Sequence, residues 1–135
     1  MKSQQYRAVV LAALAVAVVA VVAMRRPSGP DASAQAGIPR LLELGSVSCV
    51  PCKMMEPILE ELRVEYAGQL QIDFVDVLKE TEVARKFDIQ IIPTQIFFDA
   101  AGKEIYRHVG FLPKEEILAA FQEHGVSLTP PAAAP

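Results

Sequence analysis

The chain has 135 residues, a formal net charge of −3 and 52% hydrophobic residues, with two cysteines and no tryptophan. That length holds one domain and one extra segment, and two cysteines are too few for a disulfide-stapled scaffold. Residues 1–35 carry Lys2, Arg7, Arg25 and Arg26 against Asp31, a net of +3, whereas nine basic residues face fifteen acidic ones from residue 36 onward, a net of −6, so the body lacks the basic face that nucleic acid requires.

Ala8 to Met24 is an unbroken apolar run, at the short end of what spans a bilayer. Two readings stand. A cleaved signal peptide would use Lys2 and Arg7 as its basic region and Ala32-Ser33-Ala34 as its cleavage site. A retained signal anchor is favoured by Arg25 and Arg26 directly after the run and by the long gap before Ala34; the flanking charges are nearly balanced and slightly favour the N-terminus inside. Both readings export the domain, and no cysteine near the leader's end offers a lipid acceptor. The organisation expected is an anchor or signal peptide over 1–26, a Pro/Gly/Ser/Ala linker over 27–37, a domain over 38–127 and a disordered Pro/Ala tail over 128–135.

Within the domain, Ile38 to Leu44 reads as a strand covered on both faces, interrupted only by Glu43. A helix from about Cys49 to Tyr66 places Met55, Ile58, Leu59, Leu62 and Tyr66 on one face, with Pro57 expected to kink it and Gly68 ending it. Leu70 to Leu78 is a second strand with Ile72, Phe74, Val75 and Val77 apolar. A short helix over Glu80 to Phe87 packs Val83, Ala84 and Phe87. Gln95–Asp99 and Glu104–Val109 form an antiparallel hairpin across Ala-Ala-Gly-Lys. Pro113 stands at the first position of a last helix, burying Ile117, Leu118 and Phe121. The fold class is α/β, in the order β-α-β-α-β-β-α. The crossovers imply parallel strands and the hairpin antiparallel ones, in a mixed sheet flanked by helices.

The chemistry lies in Cys49-Val50-Pro51-Cys52. Two cysteines at this spacing, on the first turn of a helix that follows a strand, can close a tight disulfide, and the helix N-terminus stabilises a thiolate. The pattern points to reversible thiol–disulfide exchange, with Cys49 attacking and Cys52 resolving. A structural zinc site would want four Cys/His ligands, and His108 and His124 are far apart in sequence, so no metal site is expected. Met54 and Met55 beside the thiols raise a copper-binding alternative, but adjacent helical residues point about 100° apart.

Cys-Val-Pro-Cys-Lys, the helix proline Pro57, Ile92-Pro93-Thr94 before the hairpin and Val109-Gly110 after it form an ordered set that resembles the thioredoxin family over roughly residues 38–126. The leader resembles that of exported, membrane-tethered bacterial thioredoxins. The resemblance implies Cys49 as nucleophile, Cys52 as resolving thiol and Pro93 as a cis-proline packed beside the sulfurs. It also implies a substrate groove of Val50, Pro51, Ile91, Ile92, Thr94 and Gly110. Glu43 falls where the family has a buried aspartate that moves protons for the second cysteine. Ser48 and Gly45 stand where the family has aromatics, Ile91 where it has a glycine, and the family's first strand and helix are missing.

The activity implied is a thiol–disulfide oxidoreductase with no cofactor beyond the Cys49–Cys52 disulfide. It would be a monomer outside the cytoplasm, held by its N-terminal helix or released to the periplasm. Pro51, where strong oxidants carry a histidine, favours a reductase. Its electrons would come from a transmembrane thiol-electron carrier, and its substrates would be disulfide-bonded exported proteins such as apocytochrome c. The alternatives are a thiol oxidase or isomerase, a non-catalytic binding module on the same groove, and a copper chaperone.

Overall fold

The computed structural model describes residues 37–129. The expected leader, the linker up to residue 36 and the tail beyond Thr129 lie outside the described residues. Among the described residues no helix is long and apolar enough to cross a membrane.

Four strands and three helices follow in the expected order: β1 (Arg40–Gly45), α1 (Val50–Glu65), β2 (Gln71–Asp76), α2 (Thr81–Lys86), β3 (Thr94–Phe98), β4 (Glu104–Val109) and α3 (Lys114–Glu123). The strands form one sheet in the order β2-β1-β3-β4. β1 pairs in parallel with β2, from Arg40 opposite Gln71 to Gly45 opposite Asp76. It pairs antiparallel with β3, Glu43 opposite Gln95, and β3 pairs antiparallel with β4. The crossover over α1 therefore gives the expected parallel pair, but the one over α2 does not. α2 has six residues, about 9 Å of helix, against roughly 20 Å for a six-residue strand. It is too short to carry the chain back along the sheet, so β3 starts at the end where β2 stopped and runs the other way.

The two faces of the sheet hold separate cores. One face carries Leu41, Ile72 and Phe97 against Met55, Leu59 and Leu62 of α1 and Ile117, Ala120 and Phe121 of α3. The other carries Leu42, Leu44, Val77, Ile96 and Phe98 against Val83 and Ala84 of α2 and Phe87, Ile89 and Ile92. Every residue of β1 is buried, as a near-continuous apolar run predicts for a central strand.

Several boundaries move for physical reasons. Pro113 is the N-cap of α3 rather than its first residue: it is extended, and its carbonyl accepts from the N–H groups of Glu116 and Ile117. α1 runs unbroken through Pro57. Phe74, one of the apolar residues of its strand, is 40% exposed, because β2 is an edge strand among the described residues. Leu118 is only partly buried, and Ala120 takes its place on the covered face of α3.

Phe97 centres the first core, its ring 5.2 Å from Tyr106 and 4.9 Å from Phe121. Truncating it leaves a cavity that neither ring can fill. Phe97→Ala is expected to cost about 3–5 kcal/mol in chemical denaturation, whereas Val64→Ala, at a surface position of α1 that is 70% exposed, stays within about 0.5 kcal/mol.

Candidate active site

β1 delivers the chain to a short loop that is pinned before α1 begins. Ser46 is buried; its hydroxyl accepts from the Ser48 N–H at 3.3 Å and shares a hydrogen bond with the Ser48 hydroxyl at 3.0 Å. The Ser46 carbonyl accepts from the Cys49 N–H at 3.1 Å. From the end of β2, Asp76 accepts from the Val47 N–H at 3.5 Å and the Leu78 N–H at 3.1 Å.

Cys49 is the N-cap of α1 rather than part of its first turn, and its sulfur accepts from the Cys52 N–H at 3.3 Å. Cys49 and Cys52 form a disulfide with their Cα atoms 5.2 Å apart. The two sulfurs differ in setting. Cys49 is half-buried and Cys52 is 4% exposed. Once the pair is reduced, the cap position offers Cys49 free N–H groups and the positive end of the helix dipole, which stabilise its thiolate. The covered Cys52 has to lose its proton inside the protein.

Glu43 lies on the α1-facing side of β1, 1% exposed. Burial pushes its carboxyl up from 4.5 to about 7, and the neighbouring Gln95 amide offsets this only in part. The offset is weak because the approach falls short of a hydrogen bond: both carboxyl oxygens and both polar atoms of the Gln95 side chain are buried without a partner. A carboxyl with that balance holds or releases a proton near neutrality, which is what a base for a thiol requires.

The Ile92–Pro93 peptide bond is cis, and Pro93 is fully buried. Its carbonyl accepts from the Gly110 N–H at 2.8 Å, which ties the loop after β4 to the one before β3. Gly110 has φ +104°, a conformation that favours glycine. Val50 and Ile91 are 71% and 62% exposed; Pro51 is exposed, and Ile92 and Gly110 are half-buried. Thr94 departs from the groove role expected of it. It is 2% exposed and donates its hydroxyl to the Ile91 carbonyl at 2.6 Å, so it shapes the loop from behind.

The Thioredoxin family model matches residues 32–123. The chain belongs to the thioredoxin family. It is 37% identical over 94 residues to a thioredoxin of Staphylococcus haemolyticus (strain JCSC1435), a match covering 70% of this chain and 88% of that protein. A thioredoxin of Staphylococcus aureus (strain Mu50 / ATCC 700699) is 35% identical over the same length and coverage. A solved structure described as that of a malarial protein shares the fold at a TM-score of 0.62 and 24% identity, covering 66% of this chain and 99% of that one. As a member of the thioredoxin family, the protein is a thiol–disulfide oxidoreductase whose redox group is its own Cys49–Cys52 disulfide.

Three contacts at this site escaped the sequence reading. Gln95 sits opposite Glu43; a lone amide in the buried run Thr94–Phe98 was the available signal. Met55 is fully buried, and its sulfur accepts from the Leu112 N–H at 3.3 Å, while Met54 is 53% exposed, so the two thioethers do point apart. Among the described residues no cluster of three or more His, Cys, Asp or Glu side chains is placed to hold a metal. The third is the bare backbone at Gly45: a Cβ there would lie 3.0 Å from the Cys52 sulfur and 3.2 Å from the Phe74 ring.

Glu43 links stability to pH with a definite sign. Between pH 4.5 and about 7 the folded chain keeps a proton on Glu43 that the unfolded chain has lost, so stability falls as pH rises through that window and levels off above it. The total is about 3 kcal/mol. Glu43→Gln is expected to abolish this contribution, so that the difference between wild-type and variant in urea unfolding grows from pH 4.5 to 7 and then stays constant.

Proposed function

We propose that this thioredoxin is a protein-disulfide reductase that works outside the cytoplasm, held at the membrane by its apolar N-terminal run. The observation that carries the reading is the asymmetry of the two sulfurs: Cys49 caps a helix at the surface, and Cys52 lies covered on the side where Glu43 is buried. The Cys49 thiolate attacks one sulfur of a substrate disulfide and expels the other as a thiolate, which leaves a mixed disulfide on Cys49. Glu43 takes the Cys52 proton, and the Cys52 thiolate attacks Cys49 Sγ. The second substrate sulfur leaves as a thiolate and takes up a proton from Glu43 or water, and the Cys49–Cys52 disulfide remains. Two electrons have passed to the substrate.

Direction follows from what stands between the cysteines. Pro51 carries no charge and no donor, so nothing there favours the dithiolate enough to make the disulfide strongly oxidising. Exposed Val50, Ile91, Val109 and Phe111 suit an extended apolar segment of a partner protein better than a small polar disulfide. An oxidising exterior would return the pair to the disulfide form, so a transmembrane thiol-electron carrier supplies the electrons. Disulfide-bonded exported proteins, apocytochrome c among them, are the acceptors, and a monomer suffices.

The reduction potential of the full-length protein, read by thiol trapping in graded dithiothreitol buffers, is expected near −270 mV. A value of about −120 to −180 mV would make the protein an oxidant or isomerase instead. Cys49→Ser is expected to bring reduction of a disulfide-bonded protein down to the uncatalysed rate; retained turnover would end the redox reading. In intact spheroplasts of a bacterium expressing the full chain, added protease should remove the domain, and protection would place it in the cytoplasm.

A further inference from the structure

A cavity of about 340 Å³ opens between α1 and the outer edge of β2, with Ser46, Val47, Cys52, Lys53, Glu56 and Phe74 among its lining residues. None of the expected groove residues lines it, so it meets the reactive pair from a different side, through Cys52 rather than Cys49.

Phe74 is the group that joins this cavity to the buried acid. It is the cross-strand neighbour of Glu43 in the parallel β1–β2 pair and shares its face of the sheet, with the two strands roughly 5 Å apart. The Phe74 ring also reaches the space left open at Gly45, where a single Cβ would touch both the ring and the Cys52 sulfur. At 40% exposure, it turns one side to solvent and the other to the protein. Cys52 and Phe74 line the cavity, while Glu43, paired across the strands with Phe74, is 1% exposed and does not line it.

We propose that Phe74 is a positioning residue of the resolving half-reaction: its ring closes the cavity over Glu43 and keeps water from the carboxyl that takes the Cys52 proton. The proposal rests on Glu43 serving as that base. An apolar ring at the edge raises the proton affinity of the carboxyl by denying it solvation; a smaller side chain would let cavity water reach it. Titratable and charged groups face the ring from every element packed around it. On β1 the flanking residues of that face, Leu41 and Gly45, are neutral. β3 presents Gln95, with His108 of β4 opposite it, and β2 places Asp76 two residues past Phe74. α1 brings Cys49 and Cys52, with Lys53, Glu56, Glu60 and Arg63 at the cavity wall.

The test follows the Glu43 carboxyl by carbon NMR in glutamate-labelled full-length protein, together with the rate of mixed-disulfide resolution from pH 5 to 9. Three substitutions are compared: Phe74→Ala, Phe74→Leu and Glu43→Gln. Phe74→Ala is expected to lower the carboxyl midpoint by about one pH unit. Resolution should then become about fivefold faster at pH 6, where more of the base is ionised, and slower above pH 8, where a weaker base is at work. Phe74→Leu, which keeps an apolar cover, should leave the midpoint in place. Loss of packing alone would slow resolution by one factor at every pH. A carboxyl midpoint unmoved by Phe74→Ala overturns the proposal and leaves the cysteine cycle standing. A resolution profile unchanged by Glu43→Gln removes Glu43 as the base, and Phe74 with it, while the Cys49→Ser result still decides the activity separately.

Discussion

A carboxyl group on a strand buried along its whole length is the constraint from which the rest of this site follows. β1 can hold Glu43 out of water only because the sheet is covered on both sides, by α1 and α3 on one face and by α2 on the other. Burying a carboxylate is costly, and the protein meets that cost by keeping the proton on rather than by pairing the charge. Among the described residues the Glu43 carboxyl is shifted by burial and by Gln95, and Gln95 stops short of a full hydrogen bond. The group is thereby left with its proton loosely held near neutral pH, on the covered side of a disulfide. Packing and reactivity are here the same fact.

The helix supplies the complementary half. α1 starts where β1 has just ended, so its amino end, with unsatisfied N–H groups, lies at the rim of the same sheet edge. Capping that end with a cysteine puts one sulfur in the field of the helix, and three residues later the turn brings the second sulfur back toward β1. The loop between strand and helix is held at three N–H groups: Asp76 accepts from Val47, the Ser46 hydroxyl from Ser48 and the Ser46 carbonyl from Cys49. Met55 reaches from the same helix to Leu112, just after Gly110, which fixes the far wall of the site to the helix that carries the sulfurs. A strand, a cap and two loops are joined by single hydrogen bonds, and together they set the geometry of two atoms.

Most of this architecture was legible in the residues. The strands and helices announce themselves by their periods, and the cysteine pair, Pro93 and Gly110 come as an ordered set. The gaps share a cause, because each depends on a neighbour that sequence does not name. Phe74 has the same alternation as Ile72, but only the order of strands tells that it stands at an edge. Thr94 looks like part of a groove until its hydroxyl is seen to be engaged with Ile91. The direction of β3 hangs on whether a six-residue helix can span a sheet, a question of lengths in space. Gly45 could be noticed as a missing aromatic, but the sulfur and the ring that crowd it come from α1 and β2 and meet only in the folded chain. Glu43 stood out as a charge in an apolar strand; that Gln95 would sit opposite it required the register.

The two ends of the described chain meet at one pole. Gly37 donates to Ala100 in the hairpin turn, and Thr129 is held from both sides by the amide of Gln69, while Cys49 lies past the opposite end of β1. Both ends of the described residues therefore lie on the side of the domain away from the disulfide, so the reactive sulfurs are left uncovered by either of them.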